Sequence, residues 1–347
     1  MKKNIASFAL LLIAGLLSVT CGGGRDGTTK PTLPPPDGTK PVVVAPVPGQ
    51  PVFHFADQFD RLFVRLSGDG WQPATEGLGA PVLEYSSDVV AISRSTTAQT
   101  PHTGVSFDVY RGEHKACSFT VGPLAIVSRA YPHFGQRDDL GVAPDQEKKQ
   151  IPKFDELLAQ ASHHLGAVVG DCGTPTPKAD RELVWARPSA AAAPAIWRRL
   201  PEGDRTAAEL GEKVTPLATG LAFGKQAADY ARENPNEQLT ANQAVFAGPG
   251  VGEYLVEDFR QIGETTCGGN GHEQWSLWLV KDGTPRLLVS EENRKKLALV
   301  ADLDLDGAPE FIAGVDYYGN ERAVFRVKDG RLEVILEDKY PFNDCGC

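Results

Sequence analysis

Alternating apolar and polar positions dominate the chain between residues 51 and 130. Segments with this pattern, or with a short apolar run, predict half-buried β-strands. They lie at residues 59–66, 89–93, 105–110, 116–120 and 124–127. Turn-rich pieces such as Ser67-Gly68-Asp69-Gly70 separate them. The pattern therefore predicts a β-rich domain over residues 51–180.

A spacing of three and four residues between apolar positions then predicts one helix over residues 152–169. Pro152 would stand in its first turn, where proline is tolerated. We expect the apolar stripe of this helix to cap the sheet. The helix would contain His163 and His164, but neighbouring helical residues point about 100° apart. The pair is therefore interpreted as ordinary structural histidines and not as metal ligands.

Residues 181–240 are mixed and rich in alanine. They predict a connector with short helices, including one at residues 223–233 that ends before Asn234-Pro235.

The region 241–347 contains two copies of one pattern. Residues 244–256 align with residues 301–313, and both copies continue into a Val-Lys-Asp-Gly sequence, at 280–283 and 327–330. Asp-Gly supplies the positive φ angles that tight hairpins require. The repeat predicts a β-meander. The fold class expected for the whole chain is mainly β with a few helices (α+β).

The second copy carries an acidic loop, Asp302-Leu-Asp-Leu-Asp-Gly307. Calcium takes six to eight oxygen ligands, and carboxylates at loop positions 1, 3 and 5 with glycine at 6 can wrap one ion. The alternative is a solvated polar turn, but crowded carboxylates repel one another without a cation. We therefore predict one Ca²⁺ per chain, since the first copy has Gly248-Pro249-Gly250 instead of the acids. The predicted ligands are Asp302, Asp304, Asp306, the carbonyl of Ala308, and Glu310.

The flanks of this loop have strand patterns, and Ala313 stands where an EF-hand needs glutamate, so it is not an EF-hand. The loop resembles the calcium loop of FG-GAP and VCBS-type repeats over residues 297–338. The resemblance implies strands arranged as in blades of a β-propeller. Two copies cannot close a propeller, so we expect a small β-sheet assembly instead.

The N-terminus has Lys2 and Lys3, an apolar stretch at 5–17 and a small polar run before Cys21. This order predicts a signal peptide over residues 1–20, and its apolar stretch is too short to remain as a membrane span. Residues 17–24 resemble the lipobox of bacterial lipoproteins, although Val19 and Thr20 depart from its pattern. The resemblance implies that Cys21 carries lipid, including palmitate, and anchors the protein to a bilayer. The alternative is an ordinary secretory signal with an incidental cysteine.

Residues 21–50 are rich in proline and glycine and predict an extended, disordered tether. Gly22 follows the cysteine, and the resemblance to bacterial lipoproteins implies that such a residue is compatible with transport to the outer membrane. The expected location is therefore the cell envelope.

Six cysteines occur in the chain. In an oxidising compartment we expect a disulfide between Cys117 and Cys172, and another from Cys267 to either Cys345 or Cys347. A zinc site at these last three cysteines is the alternative, but it lacks a fourth ligand.

The chain has 347 residues, a formal net charge of -10 and a pI near 5.3, which argues against a nucleic-acid partner. It contains no nucleophile elbow, Walker loop or dinucleotide fingerprint. We therefore favour a binding or structural module that contacts an envelope protein or polysaccharide. The candidate contacts are Trp275, Trp278, Tyr317 and Tyr318, although the alternation along this strand indicates that at least one of the tryptophans is in the core. The alternative is a lipid-tethered hydrolase with its active site in the 51–180 domain.

Overall fold

The computed structural model describes residues 52–68, 71–73, 77–86, 89–130, 162–170, 172, 183–264, 271–292, 296–314 and 321–339. Within these ranges the chain forms two nine-stranded antiparallel sheets and two helices. The predicted class, mainly β with a few helices, is confirmed. None of the helices described is long and apolar enough to cross a membrane.

The first sheet has the order β3-β4-β7-β8-β2-β1-β9-β5-β6. Its strands are β1 (His54–Gln58), β2 (Leu62–Arg65), β3 (Val82–Ser86), β4 (Val89–Thr96), β5 (Ser106–Arg111), β6 (His114–Thr120), β7 (Leu124–Ala130), β8 (Ser162–Val169) and β9 (Val184–Pro188). All five strands predicted before residue 130 have a counterpart here, but β1, β3 and β9 were not predicted.

The prediction of a helix over residues 152–169 is wrong from residue 162 onwards, because the chain forms strand β8 there. Residues 152–161 lie outside the described part of the chain. β8 is a central strand that pairs with β2 and β7. Both of its faces are buried, since Leu165 and Val168 belong to apolar clusters on opposite sides of the sheet. Apolar residues on both faces mask the alternation of a strand and imitate helical spacing.

The second sheet has the order β14-β13-β12-β11-β10-β15-β16-β17-β18. Its strands are β10 (Ala195–Arg199), β11 (Thr240–Ala247), β12 (Glu253–Ile262), β13 (His272–Lys281), β14 (Thr284–Glu291), β15 (Lys296–Asp302), β16 (Glu310–Gly314), β17 (Glu321–Lys328) and β18 (Arg331–Lys339). The two predicted repeats are the meanders β11–β14 and β15–β18, and β10 joins them by pairing with both β11 and β15.

The two meanders match each other in detail. Each closes with a two-residue hairpin, in which Asp282-Gly283 and Asp329-Gly330 have positive φ, as the Asp-Gly signal predicts. Each also has one register shift four residues before the lysine of its hairpin, between Leu277 and Trp278 and between Val324 and Phe325. The internal repeat is thus a structural repeat.

The helices cover the outer face of the first meander. Helix α1 (Arg205–Thr219) begins at Asp204, whose carboxylate accepts the N–H of Ala207, and packs Leu210 and Val214 against that face. Helix α2 (Ala222–Glu233), which confirms the helix predicted at 223–233, packs Phe223 and Tyr230 beside Ile262. The stretch 181–240 therefore contributes both helices, and it also provides one strand to each sheet.

The second sheet curls until its edge strands β14 and β18 touch. Its interior is filled by an apolar cluster from both meanders that includes Trp275 and Phe311. The outer face of the second meander is covered by the first sheet. A shared cluster there contains Trp185 of β9, stacked between Phe53 and Tyr110, together with Ile312 of β16. We call this shared cluster the inter-sheet core.

Candidate functional site

The acidic loop lies between β15, which ends at Asp302, and β16, which begins at Glu310. One carboxylate oxygen each from Asp302, Asp304 and Glu310 lies within 4.8 Å of the others. Among the described residues these three form a group that could hold a metal ion. All three donors are oxygens, a set that suits hard cations such as calcium and magnesium.

Backbone N–H groups hold this loop in place. The carboxylate of Asp302 accepts the N–H of Asp306 at 3.1 Å and that of Gly307 at 2.9 Å. Glu310 accepts the N–H of Leu303 at 2.8 Å. Leu305 and Gly307 adopt positive φ angles, 61° and 92°, which let the chain turn tightly around the carboxylates. The loop is therefore shaped by its own acids.

Leu303 anchors the loop to the inter-sheet core. It stands between two of the acids, is only 5% exposed and belongs to the inter-sheet core. The neighbouring Leu305 is 41% exposed. Alternating apolar residues in the motif thus have different roles, since one is buried and the other faces solvent.

The side chain of Arg326 on β17 reaches the acidic group. Its Nη2 donates to Asp304 Oδ2 at 2.9 Å and to Glu310 Oε1 at 3.3 Å. Burial raises the pKa of Glu310 to about 7, and the charge of Asp304 adds to this, whereas the N–H of Leu303 and Arg326 oppose it. Arg326 is not among the residues predicted for the site. The strand pairing of β16 with β17 places it there, and no local pattern signals it.

One of the predicted carboxylates, that of Asp306, does not join the group. The carboxylate of Asp306 is exposed and accepts the N–H of Ala308 at 2.8 Å, so it closes a local turn instead. Ala308 is exposed as well. Of the four predicted carboxylates, the structure brings three together, and the Ala308 carbonyl stays a prediction. Position along the loop indicated the candidates, but the turn geometry decided which of them converge.

The two tryptophans predicted as partner contacts are buried, so this prediction is wrong for both. Trp275 is 0% exposed inside the curled sheet, and its indole N–H donates to Glu257. Trp278 packs under helix α1 and donates to Ser276. Strand β13 is covered on both faces, and this leaves neither ring at the surface. Tyr317 and Tyr318 lie outside the described residues.

The predicted disulfide between Cys117 and Cys172 is present, with the two Cα atoms 5.5 Å apart. It ties edge strand β6 to the segment after β8. Cys267, Cys345 and Cys347 lie outside the described residues, as do Cys21 and the rest of the predicted signal and tether.

A second group of ionisable side chains lies buried between the two sheets. Asp338 of β18 accepts hydrogen bonds from Arg65, Arg129 and Arg322. Asp57 of β1 accepts from Arg129 at 3.0 Å and from Arg322 at 2.8 Å. Burial opposes the charge of Asp338, but Arg129 and Arg322 outweigh it and hold the pKa of Asp338 well below its usual value. We call these five residues the charge network. It links the sheets, and each of its two carboxylates accepts hydrogen bonds from at least two of its arginines.

His164 of β8 borders the charge network and should make folding sensitive to acid. Burial and then the charge of Arg129 lower the pKa of His164 from 6.5 to about 3. Between these two pH values the unfolded chain binds a proton that the folded chain does not. Stability from this residue is therefore complete above pH 6.5 and falls as the pH decreases towards 3.

At pH 5 this linkage is expected to cost about 2 kcal/mol relative to pH 7.5. Replacing His164 with Gln should remove that share of the acid sensitivity, as measured by urea unfolding at both pH values. A second variant, His164→Asn, separates packing from titration. Both variants should flatten the pH dependence equally, whatever their absolute stabilities, and pH profiles parallel to the wild type would contradict the prediction.

Only the acidic loop, among the described groups, combines converging carboxylates with a position at a loop. Comparison of the chain with protein-family models, with curated proteins and with solved structures finds no match in any of the three.

Proposed function

We propose that this protein is a module of the cell envelope whose second sheet is stabilised by one calcium ion, held by Asp302, Asp304 and Glu310. The observation that carries the proposal is the convergence of these three carboxylates within 4.8 Å, in a loop already folded by backbone hydrogen bonds. A loop shaped in advance lowers the entropic cost of binding an ion.

Calcium fits this donor set better than zinc or copper. The group offers only carboxylate oxygens, and calcium accepts six to eight oxygens in flexible geometry, completed by carbonyls or water. Zinc and copper favour nitrogen and sulfur ligands, which the group lacks. Bound calcium would neutralise crowded acids and join the end of β15 to the start of β16.

A structural or binding role follows from where these acids lie. Carboxylates that coordinate an ion are not available as general acids or nucleophiles, and the loop is anchored to the inter-sheet core through Leu303. The partner would be an envelope protein or polysaccharide. With Trp275 and Trp278 buried, Tyr317 and Tyr318 remain the candidate contacts.

The calcium site is tested by thermal unfolding of the chain without its predicted signal peptide, residues 21–347, with calcium and with a chelator. Saturating calcium at about 100 times its Kd should stabilise the fold by about 2.7 kcal/mol. Asp304→Asn keeps the shape of the side chain and removes one charge, so the calcium-induced rise in Tm should disappear. Glu333→Gln, an exposed carboxylate on β18, is the control and should keep the rise. Identical curves with and without calcium for the wild type would exclude the site.

We further propose that lipid on Cys21 anchors the module to the outer membrane, with residues 21–50 as the tether. This rests on the lipobox resemblance of residues 17–24. Mass spectrometry of the N-terminal peptide of the mature protein tests it. A diacylated or triacylated Cys21 is the expected product, and an N-terminal peptide without lipid would contradict the proposal.

The hydrolase alternative has one observation in its favour. In the first sheet, Ser128 Oγ lies 2.8 Å from His163 Nδ1, and burial lowers the pKa of His163, so its ring could accept a proton. However, Ser128 is buried, and a serine nucleophile also needs an oxyanion site. Labelling of Ser128 by a fluorophosphonate would support this alternative, and an unlabelled Ser128 would remove it.

A further inference from the structure

The acidic loop already has a cation of its own, the guanidinium of Arg326. Arg326 Nη2 lies 2.9 Å from Asp304 Oδ2 and 3.3 Å from Glu310 Oε1. These are two of the three carboxylates that converge at the candidate metal site. A calcium ion binds carboxylate oxygens at about 2.3–2.6 Å, so the ion and the guanidinium would compete for these two carboxylates.

Arg326 is held there incompletely. Its Nε–H is buried and has no acceptor among the described residues, which is an unfavourable state for a donor. Its side chain is 24% exposed, and this leaves a route by which the long, flexible side chain can move towards solvent. In contrast, Arg322 has an acceptor for each of its nitrogens: Asp338 for Nε, the carbonyl of Ala56 for Nη1, and Asp57 for Nη2. The contacts of Arg326 therefore hold its side chain only weakly, and the side chain can leave the acidic loop.

We infer that Arg326 is a displaceable counter-cation that sets the calcium affinity of the acidic loop. This inference rests on the calcium site proposed above. Without calcium, Arg326 neutralises Asp304 and Glu310 and keeps the loop folded. Calcium binds only when Arg326 has left, so the apparent Kd is the intrinsic Kd divided by the fraction of molecules in which the guanidinium is withdrawn.

Such competition weakens calcium binding although all three carboxylates are still present. Sites of extracellular modules bind calcium with Kd values of about 10⁻⁴–10⁻³ M. Since calcium must expel the guanidinium, the Kd of the loop for calcium moves towards this weak range. In most molecules without calcium, Arg326 contacts Asp304 and Glu310. The loop would then respond to calcium at the concentrations found outside the cell and ignore traces of it.

The test introduces Arg326→Gln or Lys328→Gln into the chain from residue 21 to residue 347. Each variant and the wild type are titrated with calcium chloride in a calorimeter. Lys328 stands two residues further along β17 and pairs with Glu333 at 3.9 Å, so its loss changes the net charge equally without opening the acidic loop. Arg326→Gln should bind calcium about tenfold more tightly than the wild type. Lys328→Gln should bind like the wild type.

A second measurement on the wild type avoids dependence on the variant. The NMR signal of the Arg326 Nε–H should shift and exchange faster with water as calcium is added, because the guanidinium moves into solvent. Unchanged affinity in Arg326→Gln, or an Arg326 signal that calcium leaves in place, would overturn the inference while leaving the calcium site intact. Absence of calcium binding in the wild type and in both variants would instead overturn the site and the inference together.

Discussion

Replacing Asp338 with asparagine is expected to destabilise the protein by about 3–5 kcal/mol. Asp338 is fully buried and accepts hydrogen bonds from Arg65, Arg129 and Arg322. The amide keeps the shape of the side chain but removes its charge, which leaves three guanidiniums facing one remaining carboxylate, Asp57. Buried charges without a partner are far more costly than exposed ones. Urea unfolding at pH 7.5 measures the loss.

Glu333→Gln is the matched control for Asp338→Asn, because it removes one carboxylate from the same strand, β18. Glu333 is exposed and pairs with Lys328 at 3.9 Å, so its removal should change stability by less than about 0.5 kcal/mol. A loss below about 1 kcal/mol in Asp338→Asn would show that the arginines reach solvent when the carboxylate is gone. The charge network would then contribute little to joining the two sheets.

Leu303→Ala is expected to cost about 2–4 kcal/mol, because it removes a buried side chain from the inter-sheet core. It should also weaken calcium binding, since the backbone N–H of Leu303 donates to Glu310 and the loop would lose its anchor. Both effects can be measured on one sample, by urea unfolding and by calorimetric titration with calcium.

Leu305→Ala supplies the internal control, with the same substitution two residues away in the same loop. Leu305 is exposed, so its truncation should change stability by no more than about 0.5 kcal/mol and should leave calcium binding unaltered. Equal losses in the two variants would mean that Leu303 does not anchor the loop. In that case the hydrogen bonds of the acids alone would shape it.

Features that depend on neighbours in sequence could be predicted well. The hairpins at Asp282-Gly283 and Asp329-Gly330 follow from the positive φ angles that these pairs accept. Helix α2 has a one-sided apolar stripe and a proline after its end, so its limits could be predicted within one residue. The acidic loop was equally visible, because its spacing alone places oxygen donors around a turn.

Features that depend on what covers an element could not be predicted. The sequence of β8 has helical spacing because the strand is buried on both sides, by clusters to which residues distant in sequence contribute. The prediction fails for Trp278 because nothing local indicates that helix α1 covers the outer face of β13, and for Trp275 because the curled sheet encloses its other face. In each case the prediction from an amphipathic pattern requires one solvent-exposed face, and it fails where both faces of the element are covered.

The amino-acid pattern alone determined the mainly β class, the repeat, its hairpins and the candidate carboxylates, because each depends on the conformational preferences of adjacent residues. Tertiary structure decided which carboxylates converge, that Arg326 reaches them from β17, and that Asp338 meets Arg129 from 209 residues away. The pairing of strands across long separations sets these contacts. Their energy comes from burial and charge, which a linear pattern does not encode.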